Sequence, residues 1–479
     1  MTDNSAGKSS RRRFLKVAAL AGAGNVAAAA AINEISPYLL PEKLAFEHNN
    51  SFWAQALPSA NPPLTKDLDA NIAVIGGGFT GLSAAYYLKK NSPNLRVVLL
   101  EARGCGNGAS GRNGAMLLTM TEDRYMQWTG DPSLDKRIYE LTTDNIVRLR
   151  NLSAMFSVDT ELEQNGALQV CNTKEIAEDG RSFIEKARTA GMPFEFWSRE
   201  KISSAIGTSV YEAALFDPNS GQLHPGKLVA LFKTAAESVG VEIFENTPIM
   251  HIEEGSSITL TTTTGKTLRT STLVLATNAF TSKLGYLRNA AAPVFDYVAM
   301  TAPLSEARLS SLGWRQRIPF NDSRTEVFYL GSTKDNRIHI GGGPVDYLFN
   351  NGVKEPATAQ KRFAGLHEEL VRLYPRLADI TFETTWSGVV DMTLDQTPAV
   401  GRMGKHENIF YAIGFSGHGL NLTSIFGRII AELYADKLVD WQWLPYVNRL
   451  PPYTPNEPWR WVGVQAALKY YRATDPKTP

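Results

Sequence analysis

The sequence has few of the residues that build disulfide frameworks or metal sites. It contains 2 cysteines and 7 histidines among 479 residues. The cysteines, Cys105 and Cys171, can form at most one bridge, which excludes a disulfide-stapled scaffold. The histidines are scattered without the spacing typical of metal ligands, so we expect no structural metal.

An excess of charge of one sign is also missing. The chain has 49 Lys and Arg against 48 Asp and Glu, a formal net charge of +1, and no basic block lies beyond its N-terminal segment. This balance argues against nucleic acid as a partner. The apolar run Val17 to Ile32 is rich in Ala and Gly and is short for a membrane span.

A basic cluster stands before that apolar run. Ser10 to Lys16 places an arginine pair, Arg11 and Arg12, ahead of Phe-Leu-Lys, which is typical of a twin-arginine export signal. We therefore predict that residues 1–32 are such a signal and that the protein is periplasmic or membrane-associated. A disordered basic tail and an uncleaved anchor are the alternatives.

The most informative segment predicts a nucleotide-binding turn. Asn71 to Ile75 has the character of a short buried strand, and Gly76 follows it directly. Gly76 permits a tight turn, Gly78 allows a pyrophosphate to approach the backbone, and Gly81 allows the next helix to pack on the strand. The N-terminus of that helix favours phosphate groups.

An acid completes this unit and indicates which nucleotide it binds. The next predicted strand, Arg96 to Leu100, ends at Glu101, about twenty residues beyond Gly81, where a carboxylate accepts ribose hydroxyls and repels a 2′-phosphate. An unphosphorylated adenine dinucleotide is therefore predicted, with a generic glycine turn as the alternative. Export of a folded protein favours tightly held FAD over freely exchanging NAD, so an exported nicotinamide dehydrogenase is the less favoured interpretation.

Two further glycine-rich segments point to the same cofactor. Residues 414–419 separate the apolar strand Ile409 to Ile413 from a predicted helix, Leu420 to Leu433. Such a turn directs a helix N-terminus at bound groups and would stabilise the negative charge of a reduced flavin. The loop Ala109 to Gly114 would place a guanidinium over the nucleotide or the flavin ring. An ordinary turn and a solvated loop are the alternatives.

Several motifs in this order carry a resemblance to a known family. From about Phe52 to Asp475 the chain resembles the FAD-dependent amine and amino-acid oxidoreductases of the D-amino-acid oxidase superfamily, in particular its γ-glutamylputrescine oxidase-like members. The motifs are Val74 to Ser83, Gly108 to Gly114, Leu223 to Pro225, Ala276 to Ala279, Asp335 to Arg337 before Gly341 to Gly343, and Gly414 to Gly419.

The resemblance implies the cofactor contacts and the fold. The implied contacts with FAD are Gly76, Gly78, Phe79, Thr80, Gly81, Glu101, Ala102, Ser110, Gly111, Arg112, Asn113, Gly114, Ile249, Ala276, Thr277, Asn278, Gly414, Gly417, His418, Gly419 and Leu420. The implied fold is α/β, of the mixed α+β kind, with a Rossmann-like FAD-binding domain and an inserted substrate domain built on an antiparallel or mixed sheet with helices.

We expect five regions along the chain. They are the signal (1–32), an approach segment (33–68), the FAD-binding domain (69–155, 222–290 and 384–436), the substrate domain (156–221 and 291–383) and a C-terminal extension (437–479). The extension ends in an aromatic helix that begins near Trp459, and such a helix more often packs on its own protein than on a membrane.

The resemblance also implies oxidative deamination of a small amine or amino acid. Hydride would pass from the α-carbon to flavin N5, and oxygen or a membrane quinone would receive the electrons. His418, Arg112 and Tyr329 are the candidate catalytic residues. Leu330 and Gly331 stand where relatives often have a Tyr-Arg pair, which predicts a different substrate. An exported flavin-bearing binding or assembly protein without turnover is the rival interpretation.

Overall fold

The computed structural model describes residues 47–119 and 129–476. The predicted signal and the first part of the approach segment lie outside the described residues, so the export prediction stays a prediction. Within the described ranges, no helix is both long enough and apolar enough to cross a bilayer.

The described residues form strands distributed over three sheets. In chain order they are β1 (Leu68–Ile75), β2 (Val97–Leu100), β3 (Met116–Leu117), β4 (Ala167–Cys171), β5 (Glu195–Ser198), β6 (Ala213–Asp217), β7 (Gly221–Gln222), β8 (Glu242–Phe244), β9 (Ile249–Glu253), β10 (Ile258–Thr262), β11 (Thr267–Leu275), β12 (Ala291–Thr301), β13 (Phe320–Asn321), β14 (Phe328–Ser332), β15 (Ile338–Gly342), β16 (Asp346–Tyr347), β17 (Phe382–Thr393), β18 (Ala399–Met403) and β19 (Ile409–Ile413).

Helices connect and cover these strands. The α-helices are α1 (Phe79–Asn91), α2 (Pro132–Met155), α3 (Lys174–Thr189), α4 (Arg199–Ile206), α5 (Pro225–Ser238), α6 (Glu306–Ser311), α7 (Ala359–Leu373), α8 (Gly419–Tyr434) and α9 (Trp459–Thr474). Short 3-10 helices are Phe52–Ala56, Ala109–Gly111, Asn278–Leu284, Phe349–Asn351, Pro375–Leu377 and Leu438–Trp441.

Local chemistry explains several helix ends. The Asp131 side chain accepts hydrogen bonds from two backbone N–H groups at the start of α2, and a proline follows at the first helical position. His224 caps α5 through Nδ1, which accepts from the Lys227 N–H at 3.3 Å. Helix α4 ends at Gly207, whose φ of +75° suits a residue without a Cβ.

The first sheet has the Rossmann-like order β18-β19-β11-β1-β2-β8, and β9 and β10 extend it beside β11. β1 pairs in parallel with both β11 and β2, β11 with β19, and β2 with β8. β2 and the C-terminal halves of β1 and β11, residues 72–75 and 272–275, are buried, because helices α1, α5 and α8 pack into one apolar core on this sheet.

The second sheet is mixed and mainly antiparallel, with the order β16-β12-β15-β14-β13-β4-β6-β5 and β17 beside β12. One face packs on α4 and α7 to form a separate apolar core. The two sheets and their helices confirm the predicted fold class. The expected domain boundary at residue 384 falls inside β17, which pairs with β12 from Phe382 to Thr393 and so belongs to the second sheet.

Candidate active site

A cavity of about 1780 Å³ is lined by residues from both large sheets. Its lining includes the turn between β1 and α1, the loop 106–114, the turn between β19 and α8, one face of β12 and β17, and part of α9. Segments that are far apart in sequence therefore meet around one space. Such a cavity at the carboxyl ends of parallel strands is the usual ligand site of this architecture.

The first glycine turn brings the start of α1 to the cavity. Gly76 has a φ of +108°, and a Cβ on it would lie 2.4 Å from the Ala276 carbonyl oxygen. A Cβ on Gly81 would lie 1.9 Å from the Gly76 carbonyl oxygen, so only glycine allows the helix to come this close. Helix α1 has no acid in its first turn, and its N-cap residue is Gly78, which has no side chain to cap the helix. Its first N–H groups therefore favour an anion.

Glu101 is fixed at the end of β2 by backbone donors. The Gly77 N–H donates to Glu101 Oε2 at 2.6 Å, and the Arg103 N–H donates to Oε1 at 2.9 Å. Burial raises the pKa of this carboxyl, although both hydrogen bonds act in the opposite direction. A carboxylate has about four acceptor positions, so lone pairs remain for hydroxyl groups in the cavity.

The loop after Glu101 is tied to α1. Ser110 Oγ accepts a hydrogen bond from the Phe79 N–H at 2.9 Å, and Asn113 Nδ2 donates to the Ser110 carbonyl oxygen at 2.9 Å. The Trp53 indole N–H donates to the Asn113 carbonyl oxygen at 2.9 Å. These bonds hold residues 110–114 against the cavity, where their backbone and short side chains form part of its wall.

Arg112 in this loop bonds to the protein itself. Its guanidinium donates to the carbonyl oxygens of Asn107 at 2.9 Å, Ser387 at 2.9 Å and His48 at 2.8 Å. Burial lowers the pKa of Arg112. The side chain thus joins the loop to β17 and to the approach segment, and these contacts favour a structural role over substrate recognition.

The second glycine turn presents the start of α8 to the same cavity. Gly414 and Gly417 have φ values of +81° and +95°, and Ser416 between them has +49°. His418 stands at the N-cap of α8, lines the cavity and makes no side-chain capping bond within the described part of the chain. The helix has no acid in its first turn, so its N-terminus favours negative charge.

A buried carboxyl on β17 holds this second turn. Asp391 is 1% exposed, and its Oδ2 accepts from the Gly414 N–H at 2.5 Å. Its carbonyl oxygen accepts from the Ser416 N–H at 3.3 Å. Burial raises the pKa of Asp391 to about 7, against the opposing effect of the Gly414 N–H and neighbouring backbone donors. Asp391 also lines the cavity.

The second sheet forms the facing wall, which we call the roof. Along β12, Val294, Asp296 and Val298 alternate with side chains of the second core and line the cavity. The β17 residue opposite Val294 is Val390, which also lines the cavity, and Gly388 stands opposite Asp296. The roof is therefore mostly apolar around Asp296, and Asp391 on β17 adds a second carboxyl beside the second glycine turn.

Helix α9 of the C-terminal extension contributes to the cavity wall. Val464, Ala467 and Leu468 line it. Arg472 fixes the far end of the helix by donating to Glu326 at 3.0 to 3.1 Å. The extension therefore packs on its own protein, as predicted, although Trp459 at the start of the helix is 67% exposed.

Comparisons with known proteins agree with this geometry. The profile of the FAD dependent oxidoreductase family matches residues 71–433. The chain belongs to the FAD-dependent oxidoreductase family. The probable oxidoreductase OrdL of Haemophilus influenzae is 28% identical over 78% of this chain and 84% of its own length. The gamma-glutamylputrescine oxidoreductase of Escherichia coli is 27% identical over 81% of this chain and 89% of its own.

A solved structure shares the fold. Glycine oxidase from Geobacillus kaustophilus superposes with a TM-score of 0.66 at 23% identity, covering 77% of this chain and 95% of that protein. The chain is thus an FAD-dependent oxidoreductase, and the predicted choice of FAD over NAD is confirmed.

The residues around the cavity fit FAD. Two helix N-termini face it without a capping side chain at the N-cap position, the glycines Gly76 and Gly81 allow close backbone approach beside the strands, and Glu101 offers a positioned carboxylate. Of the predicted contacts, all but Gly81, Gly111 and Gly414 line the cavity. Gly81 instead allows α1 to pack on the strand, and Gly414 donates to Asp391. The individual contacts stay predictions.

The predicted catalytic candidates all lie on the cavity but differ in their surroundings. His418 stands beside the start of α8, Tyr329 is in the roof, and Arg112 is bonded to three carbonyl oxygens. Sequence reasoning missed Asp296, Asp391 and the lining residues of α9. No local motif marks them, because each reaches the cavity through strand pairing or through packing of the C-terminal extension.

Cys105 lies under the first glycine turn. A Cβ on Gly77 would approach its Sγ to 2.7 Å, and the Cys105 N–H donates to Glu245 Oε1 at 2.5 Å. Glu245 in turn forms a buried ion pair with Lys233 at 2.5 Å. Burial and the neighbouring Glu245 carboxylate raise the pKa of the Cys105 thiol well above its usual value, so this cysteine is a packing residue.

Proposed function

We propose that this FAD-dependent oxidoreductase oxidises an amine or an amino acid at the carbon bonded to nitrogen. The imine product would be hydrolysed by water to a carbonyl compound and ammonia or a smaller amine. The observation that carries the proposal is that the part of the roof around Asp296 is mainly apolar and faces the same cavity as both glycine turns. Relatives named gamma-glutamylputrescine oxidoreductase and glycine oxidase support this substrate class.

Bound FAD would supply the two-electron acceptor for this reaction. The protein contributes orientation and a dry site. Val294, Val298 and Val390 in the roof exclude water from the reacting carbon, and a bound ammonium group has to lose a proton before hydride can leave. The start of α8 would stabilise negative charge that develops in the cavity beside it.

Tyr329 contributes as a hydrogen-bond donor in this scheme. Its hydroxyl donates to Asp296 Oδ2 at 2.7 Å. Burial, and then the charge of Asp296, raise the pKa of Tyr329 well above its usual value. The phenol therefore keeps its proton at neutral pH and does not act as a general base.

We further propose that the enzyme works outside the cytoplasm and passes its electrons to oxygen or to a membrane quinone. The twin-arginine pattern in residues 1–32 supports export. An oxidase and a dehydrogenase differ only in this second half-reaction, so the acceptor has to be tested separately.

Anaerobic mixing of the FAD-loaded protein with candidate substrates tests the first half-reaction. The panel contains amino acids of both hands, polyamines and N-methyl amines, and loss of the visible flavin absorbance reports reduction. We expect at least one compound to bleach the flavin. If every member leaves the absorbance unchanged, the proposal is refuted in favour of a flavin-bearing binding or assembly protein. Oxygen-electrode recording with the active compound then separates oxygen from quinone.

A further inference from the structure

Asp296 is the carboxylate that β12 presents to the cavity from the roof. Side chains on this strand alternate, so Val294, Asp296 and Val298 face the cavity while Tyr297 faces the second core. Asp296 pairs across the sheet with Gly388, and a Cβ on that glycine would lie 3.3 Å from the Arg112 Cβ, so the Arg112 side chain packs against it. A carboxylate therefore lies between the apolar side chains of Val294 and Val298, which is costly unless it has suitable partners.

The Asp296 carboxylate is held in a fixed orientation. Its Oδ2 accepts from the Tyr329 hydroxyl at 2.7 Å, and its Oδ1 accepts from the Tyr297 N–H at 2.9 Å. The Tyr329 ring is wedged between Gly114 and Gly341, because a Cβ on either glycine would lie 2.3 Å from a Tyr329 ring atom. This wedge also places the pair beside the loop 110–114, on the side of the cavity predicted to hold the isoalloxazine.

The charged groups around the cavity favour a cationic ligand at this point. Four Lys and Arg side chains line the cavity in the described parts of the chain. Arg112 donates to three backbone carbonyl oxygens, Arg460 Nη1 to that of Arg288 at 2.6 Å, and Lys283 Nζ to that of Asn350 at 3.3 Å. Lys186 is exposed to solvent. An α-amino acid would bring its carboxylate towards Asp296, and like charges in a poorly hydrated site repel strongly.

We propose that Asp296 is the specificity-determining residue of the substrate site and that it binds an ammonium group. The substrate class is then a cationic amine with no carboxylate on the reacting carbon. Tyr329 acts as a positioning residue that orients the carboxylate. This inference rests on the proposed function, because it names the substrate of that same cavity.

Three compounds of one shape test the proposal without turnover. tert-Butylamine is a cation at neutral pH, tert-butanol is neutral and pivalate is an anion, and none has a hydrogen on the carbon that bears the polar group. Each is titrated into the oxidised FAD-loaded protein, and binding is followed by the flavin difference spectrum. We expect tert-butylamine to bind more tightly than tert-butanol, and pivalate to bind most weakly. Tighter binding of pivalate than of tert-butylamine by the unaltered protein would overturn the proposal without any variant.

The variants then assign the preference to one residue. Asp296→Asn should reduce the affinity for tert-butylamine about tenfold or more and leave that for tert-butanol within about twofold. Asp296→Glu should keep the preference for the cation. Glu47→Gln is the matched control, because it removes one negative charge from an exposed residue that also lines the cavity. Equal affinities of Asp296→Asn and the unaltered protein for tert-butylamine would overturn the proposal.

The outcome is separable from that of the proposed function. If amines bleach the flavin of the unaltered enzyme but Asp296→Asn binds tert-butylamine as tightly as the unaltered enzyme does, the role of Asp296 is overturned and the proposed reaction stands. If Asp296→Asn loses affinity for tert-butylamine but no compound of the panel bleaches the flavin of the unaltered enzyme, recognition of a cation by Asp296 is supported and the proposed amine oxidation is refuted.

Discussion

The packing of α1 against α8 leads to a sharp prediction at Gly427. A Cβ on this residue would lie 1.9 Å from Ser83 Oγ and 2.6 Å from the Ala84 backbone nitrogen. The Ser83 hydroxyl can rotate away, but the backbone nitrogen cannot. The two helices would have to separate by roughly 1 Å to restore ordinary contact. Both helices begin at a glycine turn on the cavity, so their separation would also disturb the predicted FAD site.

The expected magnitude follows from two opposing effects. Forcing an extra methyl group into a well-packed interface costs about 1 to 3 kcal/mol. Replacing a helical glycine with alanine contributes up to about 1 kcal/mol in favour of folding. We therefore expect Gly427→Ala to lower the free energy of unfolding by about 1 to 2 kcal/mol and to speed the release of FAD.

Gly365→Ala in α7 is the matched control. No heavy atom of the described residues lies within 4 Å of the Cβ that it would add, so only the gain in helix propensity applies. Thermal unfolding of both variants, followed by circular dichroism and flavin fluorescence at one fixed FAD concentration, makes the comparison. We expect the Tm to fall by a few degrees for Gly427→Ala and to stay level or rise for Gly365→Ala.

Ser83→Ala separates the two contacts. It removes the hydroxyl but leaves the Ala84 backbone nitrogen in place, so the double variant with Gly427→Ala should lose about as much stability as the sum of the single variants. A Gly427→Ala protein with the Tm and FAD affinity of the unaltered enzyme would refute the reasoning about this interface.

Three further predictions concern side chains around the cavity. Arg112→Lys should lower the free energy of unfolding by about 1 to 3 kcal/mol, because lysine cannot reach all three carbonyl oxygens. A raised KM for the substrate at an unchanged Tm would instead indicate that Arg112 recognises the substrate. The pKa of Asp391 rises from 3.8 in the unfolded chain to about 7, so its stabilising effect is complete below about pH 4 and lost as the pH rises through 7. The Tm of the unaltered protein relative to Asp391→Asn should therefore fall between about pH 4 and pH 7. A difference that stays constant over this range would contradict the assignment. Arg472→Gln should release α9 from Glu326 and speed proteolysis of the C-terminal extension. Lys469→Gln, at an exposed position on the same helix, is the control. Equal cleavage rates for the two variants would show that Glu326 does not hold α9 in place.

Local sequence signals predicted the nucleotide-binding half well. The strand expected at Asn71 to Ile75 forms the end of β1, and the helix expected at Leu420 to Leu433 lies within α8. These elements depend on short-range properties, namely buried apolar runs and glycines that allow close backbone approach. Such properties can be read from a few consecutive residues.

The arrangement of the roof could not be predicted in this way. Asp296 and Tyr329 are 33 residues apart, and their hydrogen bond exists because β12, β15 and β14 pair in one register. A slip of one residue would turn Asp296 into the second core and bring a different side chain to the cavity. The predicted boundary at residue 384 lies inside β17 for the same reason, because β17 joins β12 through pairing and not through sequence proximity.

The sequence by itself determined the dinucleotide turn, the acid that follows it and the second glycine turn, since each depends on backbone geometry within a few residues. Only the tertiary structure decided that Asp391 holds the second turn across 23 residues, that Arg112 bonds to backbone carbonyls, and that Asp296 faces the cavity. The physical reason is that a polar side chain takes its role from the partners that the register of the sheets brings to it.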